Sequence, residues 1–239
     1  MDPLISPPET VLVTGANRGI GLALVSELLA LGYRVIATAR RPDTAHDLQA
    51  LAVNHPDRLQ ILPLEVTSDA SLQHAAAQVG QLDILINNAA VFPEDGEEPF
   101  EKWQAAHLLE AFSTNVIGVT RVTQTFLPQL RQSPRARVLN ISSTAGSISG
   151  KHSHFYYAYS TSKAALNMLT RTMAFDLATQ GITVVAITPG WVQTDMGGTD
   201  AKLTPHESAS ALAALAGRIT PADAGTFLER DGKPCPHAW

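Results

Sequence analysis

The chain has 239 residues, 45% of them hydrophobic and 16% charged, which is the composition of a globular protein rather than a disordered one. A formal net charge of -5 argues against nucleic acid or an anionic membrane as the main partner. The single cysteine, Cys235, excludes a disulfide within the chain and favours a reducing, cytoplasmic location. Residues 1–10 lack the features of a signal peptide, and no apolar run is long enough to span a membrane.

Short runs rich in β-branched residues alternate along the chain with longer helical patterns. Strands are predicted at 11–13, 34–38, 59–62, 82–86, 138–141 and 183–187. Helices are predicted at 20–30, 44–53, 71–79, about 100–130, 158–180 and 206–215. The strands are apolar without alternation, which is typical of strands buried on both faces of a parallel sheet. We therefore expect an α/β fold, a doubly wound (Rossmann) parallel sheet with helices on both faces.

No linker or internal repeat divides the sequence, so residues 1–239 are predicted to form a single domain that both binds a dinucleotide and carries the catalytic residues. Segments 1–9 and 229–239 are expected to be tails or edge segments. Residues 92–99 and 189–205 have the composition of loops, and we interpret 191–205 as a mobile substrate lid.

A glycine-rich segment connects the first predicted strand to the first predicted helix. Its glycines, Gly15, Gly19 and Gly21, follow the pattern G-x-x-x-G-x-G. Glycine at these positions permits a sharp turn, close approach of a pyrophosphate and tight packing of the helix on the sheet. The N–H groups at the start of the helix favour phosphate as well. The segment predicts a dinucleotide site, with a purely structural turn as the alternative.

The end of the second predicted strand indicates which dinucleotide is bound. An acidic residue there would hold the ribose hydroxyls of NAD, but the sequence has Arg40 and no acid before Asp43. Arg40, together with Arg18 of the glycine-rich segment, would clamp a 2′-phosphate. The alternative is a solvated arginine at a strand end. NADP(H) is therefore favoured over NAD(H).

Tyr159 and Lys163 lie four residues apart at the start of a predicted helix, and therefore on one helix face. The ammonium group is expected to lower the pKa of the tyrosine, which would make Tyr159 a general acid or base near neutral pH. Ser143 follows the preceding strand and can donate a hydrogen bond to a carbonyl oxygen that becomes an alkoxide. The alternatives are an exposed pair and a serine-rich turn.

Taken together, these motifs resemble the short-chain dehydrogenase/reductase family over about residues 10–230. The matched motifs, in family order, are 14–21, Asn87-Asn88-Ala89, Asn115, Ser143, Tyr159 with Lys163, and Pro189-Gly190 with Thr194. Two positions depart from the family pattern. Ala90 stands where the family has glycine, and Glu65 where it has an aspartate against the adenine.

The resemblance implies a role for each matched residue. Tyr159 exchanges a proton with the substrate oxygen, and Lys163 tunes Tyr159 and contacts the nicotinamide ribose. Ser143, rather than Ser142, polarises the carbonyl, and Asn115 holds a water for a proton relay with Lys163. The residues expected to bind the cofactor are Gly15, Asn17, Arg18, Gly19, Ile20, Gly21, Arg40, Glu65, Val66, Asn87, Ala89, Tyr159, Lys163, Pro189, Gly190, Val192 and Thr194.

Within the family, the chain looks like the carbonyl reductases related to sniffer and to the bacterial C-factor. The cues are residues 16–22, the Ala39-Arg40 strand end and the closing segment 225–232. This likeness implies NADP(H)-dependent reduction of an aldehyde or ketone to an alcohol. A cofactor-binding signalling protein of C-factor type and an alcohol dehydrogenase working in the oxidative direction stay open as alternatives.

Aromatic side chains near the expected site predict an apolar carbonyl or alcohol as substrate. The candidates are Phe92, Phe155 and Trp191, with Val91, Tyr156 and Met196 beside them. His152 and His154 have no nearby carboxylate, so no metal site is expected. No long insertion separates Ser143 from Tyr159, and by the family pattern this leaves two helices free to pair. We therefore expect a homodimer or homotetramer.

Overall fold

The computed structural model of the protein describes residues 8–94 and 98–236. Its strands are β1 (Thr10–Val13), β2 (Arg34–Ala39), β3 (Leu59–Pro63), β4 (Ile84–Asn87), β5 (Arg137–Ile141), β6 (Thr183–Thr188) and β7 (Phe227–Glu229). Its α-helices are α1 (Gly19–Ala30), α2 (His46–Asn54), α3 (Asp69–Ala76), α4 (Ala106–Phe112), α5 (Val119–Leu130), α6 (Tyr157–Ala178) and α7 (Pro205–Arg218). The strands form a parallel sheet in the order β3-β2-β1-β4-β5-β6-β7. The order reverses between β1 and β4, where such sheets bind ligands beyond the carboxyl ends of the strands.

Helices cover both faces of the sheet, as in a Rossmann-like fold. Val11 and Val13 of β1 belong to the core that contains Leu24 of α1, whereas Leu12 belongs to the opposite core, which contains Phe126 of α5. Neighbouring residues on a strand point to opposite faces, so a strand covered on both sides must be apolar throughout. This explains the unbroken apolar runs in the sequence and confirms the expected fold class.

The stretch expected to be mostly helix at about 100–130 is helical over most of its length, with two departures from one continuous α-helix. Helical structure begins only at Ala106, and the segment Ser113–Gly118 between α4 and α5 is π-helical. A π-helical turn inserts one extra residue into a helix, which the apolar pattern of the sequence does not reveal. No helix within residues 8–94 and 98–236 has both the length and the apolar character needed to cross a membrane.

The C-terminal segment expected as a tail is in part structured. β7 was not predicted, and residues 229–236 contain its last residue and turn back so that Pro234 forms an antiparallel bridge with Leu228. Near the other end, the Glu9 carbonyl oxygen accepts a hydrogen bond from the backbone N–H of Arg34 on β2. Residues 1–7 and 237–239 of the predicted tails, and 95–97 of the predicted loop 92–99, lie outside the described residues.

Candidate active site

The glycine-rich loop lies at the carboxyl ends of β1 and β4, and two of its positions are too closely packed for a side chain. The backbone of Gly15 has a φ of +64°, and a Cβ there would come within 2.9 Å of Ala89 Cα. A Cβ on Gly21 would lie 2.2 Å from the carbonyl oxygen of Gly15 and 2.6 Å from Asn88 Nδ2. These two positions therefore require glycine, because the close neighbours are mainly backbone atoms that cannot give way.

Thr14 and Asn88 join the loop to the segment that follows β4. Thr14 Oγ1 accepts hydrogen bonds from the backbone N–H groups of Asn88 and Ala89, each at 3.0 Å. Asn88 Nδ2 donates to the carbonyl oxygens of Thr14 at 2.9 Å and Gly15 at 3.1 Å. The two segments thus form one braced crevice, and Ala89 is part of its wall.

The start of α1 offers backbone donors to an anion. Arg18 precedes the helix with an extended backbone, and no described side chain caps this helix start. The first N–H groups of a helix lack partners within the helix, and its positive end attracts phosphate. Asn17 is exposed beside this turn, and Gly19 and Ile20 begin it. The loop and the helix start therefore fit the pyrophosphate of a dinucleotide.

The two arginines expected to clamp a 2′-phosphate contact different acids. Arg18 forms an ion pair with Asp195, which follows β6. Arg40 lies just past the end of β2 with its side chain 71% exposed, and its Nε is 3.9 Å from Glu65 Oε2. Glu65 and the buried Val66 follow β3, so they share this edge of the sheet with Arg40. In this structure Arg18 and Arg40 do not form a common clamp.

Asn87 ends β4, but its side chain is directed into the core. Its Nδ2 donates to Asn140 Oδ1 at 2.9 Å and to Thr123 Oγ1 at 3.2 Å. Asn140 Nδ2 in turn donates to Thr170 Oγ1 of α6 at 2.9 Å. Buried polar groups need such partners, and this series connects β4 and β5 with α5 and α6. The Nδ2 group of Asn87 is therefore engaged within the protein, whereas its buried Oδ1 has no hydrogen-bond partner among the described residues.

Two serines follow β5 in different surroundings. Ser142 is buried, and its hydroxyl donates to Asn167 Oδ1 of α6 at 2.5 Å. Ser143 is half-buried, accepts a hydrogen bond from the backbone N–H of Ala145 at 3.1 Å and is hydrogen-bonded to Tyr159. Of the two hydroxyls, Ser143 is the one placed beside the tyrosine.

Tyr159 and Lys163 lie one turn apart on α6, with Lys163 Nζ 5.6 Å from the centroid of the Tyr159 ring. The lysine is buried, and its Nζ donates to the carbonyl oxygen of Ile141 at 2.8 Å. Burial lowers the pKa of Lys163 to about 8. Burial also raises the pKa of Tyr159 to about 12, against the opposing effect of its hydrogen bond with Ser143. The expected lowering of the tyrosine pKa is therefore wrong for this structure, because the loss of solvation of the phenolate dominates.

Asn115 lies in the π-helical segment and fixes the loop after β4 to α6. Its Oδ1 accepts from the Val91 N–H at 2.9 Å, and its Nδ2 donates to the Val91 carbonyl oxygen and to Ser162 Oγ, each at 3.0 Å. Ser162 Oγ donates to the Tyr159 carbonyl oxygen at 2.8 Å. π-helical turns are frequent at functional sites. The water-holding role expected for Asn115 stays a prediction, and Ser162 is a residue of this network that the sequence did not single out.

Glu94 is a second residue of the site that the sequence did not indicate. It belongs to the run Glu94–Glu98, in which four of five residues are acidic and which has the composition of a solvated loop. In the structure the Glu94 carboxylate is buried and accepts hydrogen bonds from the backbone at the start of α6. No local pattern separates this acid from the other acids of the run, because its backbone partners, Ala158 and Tyr159, are more than sixty residues away in the chain.

Two predicted substrate residues lie in an aromatic cluster at the tyrosine. The Phe92 ring is edge-to-face with both Tyr156 and Tyr159, at centroid distances of 5.1 and 5.2 Å. Phe155 lies 6.0 Å from Tyr156. Trp191 is half-exposed on the segment after β6, and its Nε1 donates to the Gly197 carbonyl oxygen at 2.8 Å. Phe92 is thus the candidate that directly contacts the Tyr159 ring.

The segment after β6 closes on itself and reaches the glycine-rich loop. It carries four predicted cofactor residues, Pro189, Gly190, Val192 and Thr194. Gly190 has a φ of +84°, and Val192 is buried and bridges to Leu203. A Cβ on Gly19 would lie 3.2 Å from Thr194 Cγ2. The segment therefore borders the crevice, and its mobility as a lid stays a prediction.

The loop between β5 and α6 carries the two histidines considered as metal ligands. His152 and His154 are exposed, and the ring centroid of His154 lies 4.2 Å from that of Phe155. Among the residues that the structure describes, no three His, Cys, Asp or Glu side chains are grouped closely enough to hold a metal ion.

Comparison with known proteins points to one family. A family model described as short chain dehydrogenase matches residues 9–203. The carbonyl reductase Sniffer of D. melanogaster superposes with a TM-score of 0.92 at 32% identity, covering 97% of this chain and 100% of that one. An NADPH-bound carbonyl reductase from chicken fatty liver superposes with a TM-score of 0.88 at 40% identity, covering 97% and 99%. The C-signal protein of Myxococcus xanthus is 38% identical over 160 residues, which are 66% of this chain and 93% of that protein.

Proposed function

Because this chain belongs to the short-chain dehydrogenase family, we propose that it is an NADP(H)-dependent carbonyl reductase that converts an aldehyde or ketone to an alcohol. The observation that carries the proposal is the placement of Tyr159 and Lys163 one turn apart on α6, with Lys163 Nζ 5.6 Å from the tyrosine ring and with the tyrosine beside Ser143 at the end of β5. Burial raises the pKa of the Tyr159 phenol to about 12. An acid that keeps its proton at neutral pH suits reduction, in which the substrate oxygen must receive one.

The proposed chemistry follows from three side chains. The Ser143 hydroxyl donates a hydrogen bond to the carbonyl oxygen and stabilises the negative charge that develops there. Tyr159 delivers its proton to that oxygen as the alcohol forms. The buried ammonium of Lys163, 5.6 Å from the tyrosine ring, lowers the cost of the phenolate left behind. The nicotinamide, when bound, supplies the hydride.

The decisive experiment is the Tyr159→Phe variant, assayed by NADPH oxidation with a panel of aldehydes and ketones. We expect kcat to fall at least about a thousandfold, because the proton donor is removed. Tyr157→Phe is the matched control, since Tyr157 lies on the same helix turn but packs against Phe100 and Trp103. NADPH binding, followed by its fluorescence, should be retained in both variants. Near-normal turnover by Tyr159→Phe would refute the assignment.

The preference for NADP(H) is part of the proposal and depends on Arg40. The exposed guanidinium lies just past the end of β2 and can reach a 2′-phosphate in place of its 3.9 Å contact with Glu65. Arg40→Asp should raise the KM for NADPH by about tenfold or more and shift the preference toward NADH. Arg41→Asp is the control for added negative charge. An unchanged ratio of the two cofactors in Arg40→Asp would remove Arg40 from the site.

Two alternatives use the same site. The similarity to the C-signal protein favours a signalling role. Tyr159→Phe separates this role from the reductase function, because a signal carried by cofactor binding alone would survive the substitution. An alcohol dehydrogenase would run the same proton transfer in reverse, which assays with NADP+ and secondary alcohols would detect. The expected cytoplasmic location stays a prediction.

Assembly into a homodimer or homotetramer also belongs to the proposal. Apolar side chains on the outer surfaces of α4, α6 and the π-helical segment are exposed, among them Leu109, Ile117, Met168 and Phe175. Exposed apolar groups of this kind mark protein interfaces. Sedimentation equilibrium tests the assembly, and a monomer at micromolar concentration would contradict it.

A further inference from the structure

Glu94 lies in the loop after β4, three residues beyond the Val91 backbone that Asn115 holds. Its side chain is buried, and both carboxylate oxygens have partners. Oε1 accepts from the Tyr159 backbone N–H at 2.7 Å, and Oε2 accepts from the Ala158 N–H at 3.0 Å. Oε2 also accepts from Trp103 Nε1 at 2.8 Å. Two of the three donors therefore belong to the first turn of α6.

The start of α6 lacks a cap of its own. Tyr156, at the N-cap position, has φ 66° and ψ 54° and makes no side-chain cap hydrogen bond. It is the single non-glycine residue with positive φ in the described part of the chain, a conformation that costs energy and occurs often at functional sites. An uncapped helix start leaves N–H groups unpaired and the positive end of the helix dipole uncompensated. The Glu94 carboxylate supplies the missing acceptor and the missing negative charge from a distant segment.

We propose that Glu94 is a positioning residue for the reaction, which fixes the backbone of Tyr159, and through it the phenol, against the loop that carries Phe92. The inference rests on the proposed reductase function. Glu94 touches neither substrate nor reacting atoms. Its effect is transmitted through the first turn of α6, where a small displacement of the phenol is costly because proton transfer requires close approach.

The charge of Glu94 has a second consequence for Tyr159. Among the residues that the structure describes, Glu94, Lys151 and Lys163 are the charged groups whose contacts reach this turn. Lys151 Nζ donates to the Phe155 carbonyl oxygen at 2.6 Å and to Ser160 Oγ at 2.9 Å. Removing the carboxylate leaves the positive helix end uncompensated, which favours the phenolate. The same uncompensated positive end disfavours the Lys163 ammonium, so both groups lose their protons at lower pH. Reduction, which needs both the protonated phenol and the ammonium, then declines at lower pH as well.

The test is Glu94→Gln, which keeps the shape of the side chain but places an NH2 group against a donor. We expect kcat to fall about tenfold, with the affinity for NADPH within about twofold of wild type. The alkaline limb of the pH profile should move down by about half a pH unit. Glu94→Asp keeps the charge but shortens the reach, so it should restore the pH profile while kcat stays low. Glu101→Gln, on an exposed acid of the same segment, is the control and should match wild type.

Two outcomes would overturn the proposal. One is a Glu94→Gln variant with the kcat and pH profile of wild type, and the other is a variant that loses thermal stability without any change in kcat. A readout without turnover separates this proposal from the proposed function. Hydrogen exchange at the Ala158 and Tyr159 amides should be faster in Glu94→Gln even if the wild-type protein reduces no carbonyl tested. Unchanged exchange would refute the role of Glu94 by itself.

Discussion

Lys163 carries a buried charge with a single carbonyl oxygen, that of Ile141, as its hydrogen-bond partner in the described structure. Burial lowers its pKa from 10.5 to about 8, which corresponds to about 3 kcal/mol of unfavourable free energy for the charged form in the folded state. A residue of this kind is retained at a cost in stability, and functional sites are where such costs are usual.

Lys163→Met should therefore unfold at a higher temperature than wild type while turnover is lost. The gain is about 1–2 kcal/mol after the loss of the Ile141 hydrogen bond, or about 2–8 °C in Tm for a chain of this size. Because the folded pKa is lowered, wild type gains stability as pH rises from about 8 toward 10.5, so the difference in Tm should shrink over that range. Calorimetry across pH measures this, with exposed Lys202→Met as control. A destabilised Lys163→Met would contradict the argument.

For single residues, the sequence predicted which catalytic side chains share a helix face, but it did not predict how deeply those side chains are buried. The four-residue spacing of Tyr159 and Lys163 placed them on one helix face, as observed. It could not reveal that burial outweighs their mutual charge effect, because burial depends on the surrounding chain. The same limit applies to Glu94. Its partner Ala158 is distant in sequence, and Trp103, which is nearer, meets the carboxylate only in the folded chain.

Among the secondary-structure elements, the start of α1 is the most constrained part of the crevice. A methyl group on Gly21 would meet the Gly15 carbonyl oxygen at 2.2 Å, so Gly21→Ala must push α1 away from the loop. We expect the affinity for NADPH to fall more than tenfold, with a loss of about 1–3 kcal/mol in stability. Gly80→Ala is the matched control, because a Cβ there meets no atom within 4 Å. Equal NADPH affinity in the two variants, measured by titration, would show that the loop tolerates a side chain.

The sequence predicted those helices and strands that are long enough to show a clear apolar pattern or a capping motif, and it missed a strand that is too short to show one. The doubly buried strands are visible as apolar runs, and α7 begins at Pro205 with a capping box of Thr204 and Glu207, one residue before the predicted start. β7 has three residues, too few to show a period. Its place beside β6 comes from the register of the sheet, which only the folded chain provides.

At the scale of the whole molecule, one buried guanidinium connects distant parts of the chain. It lies at the amino ends of the strands, opposite the active site. Arg137 of β5 is fully buried, forms an ion pair with Glu9 ahead of β1 and donates through Nη1 to the Ala216 carbonyl oxygen of α7 at 3.0 Å. Burial lowers the pKa of Arg137, and the nearby Glu9 raises it. The pair therefore joins the beginning, the middle and the C-terminal part of the sheet assembly.

Removing Glu9 and removing Arg137 should lower the free energy of unfolding by different amounts. Glu9→Ala leaves a buried charge without its partner and should lose about 3 kcal/mol, whereas Arg137→Met removes the charge and should lose less, since Glu9 can be solvated. The double variant should then resemble Arg137→Met, and kcat should stay unchanged in all three because Tyr159 lies at the other end of the sheet. Urea denaturation measures the free energies and also tests the expected single domain, which requires one cooperative transition. If Arg137→Met lost more free energy of unfolding than Glu9→Ala, the prediction would be wrong. The arginine would then stabilise the fold mainly through its packing and hydrogen bonds, and compensation of its charge by Glu9 would matter less.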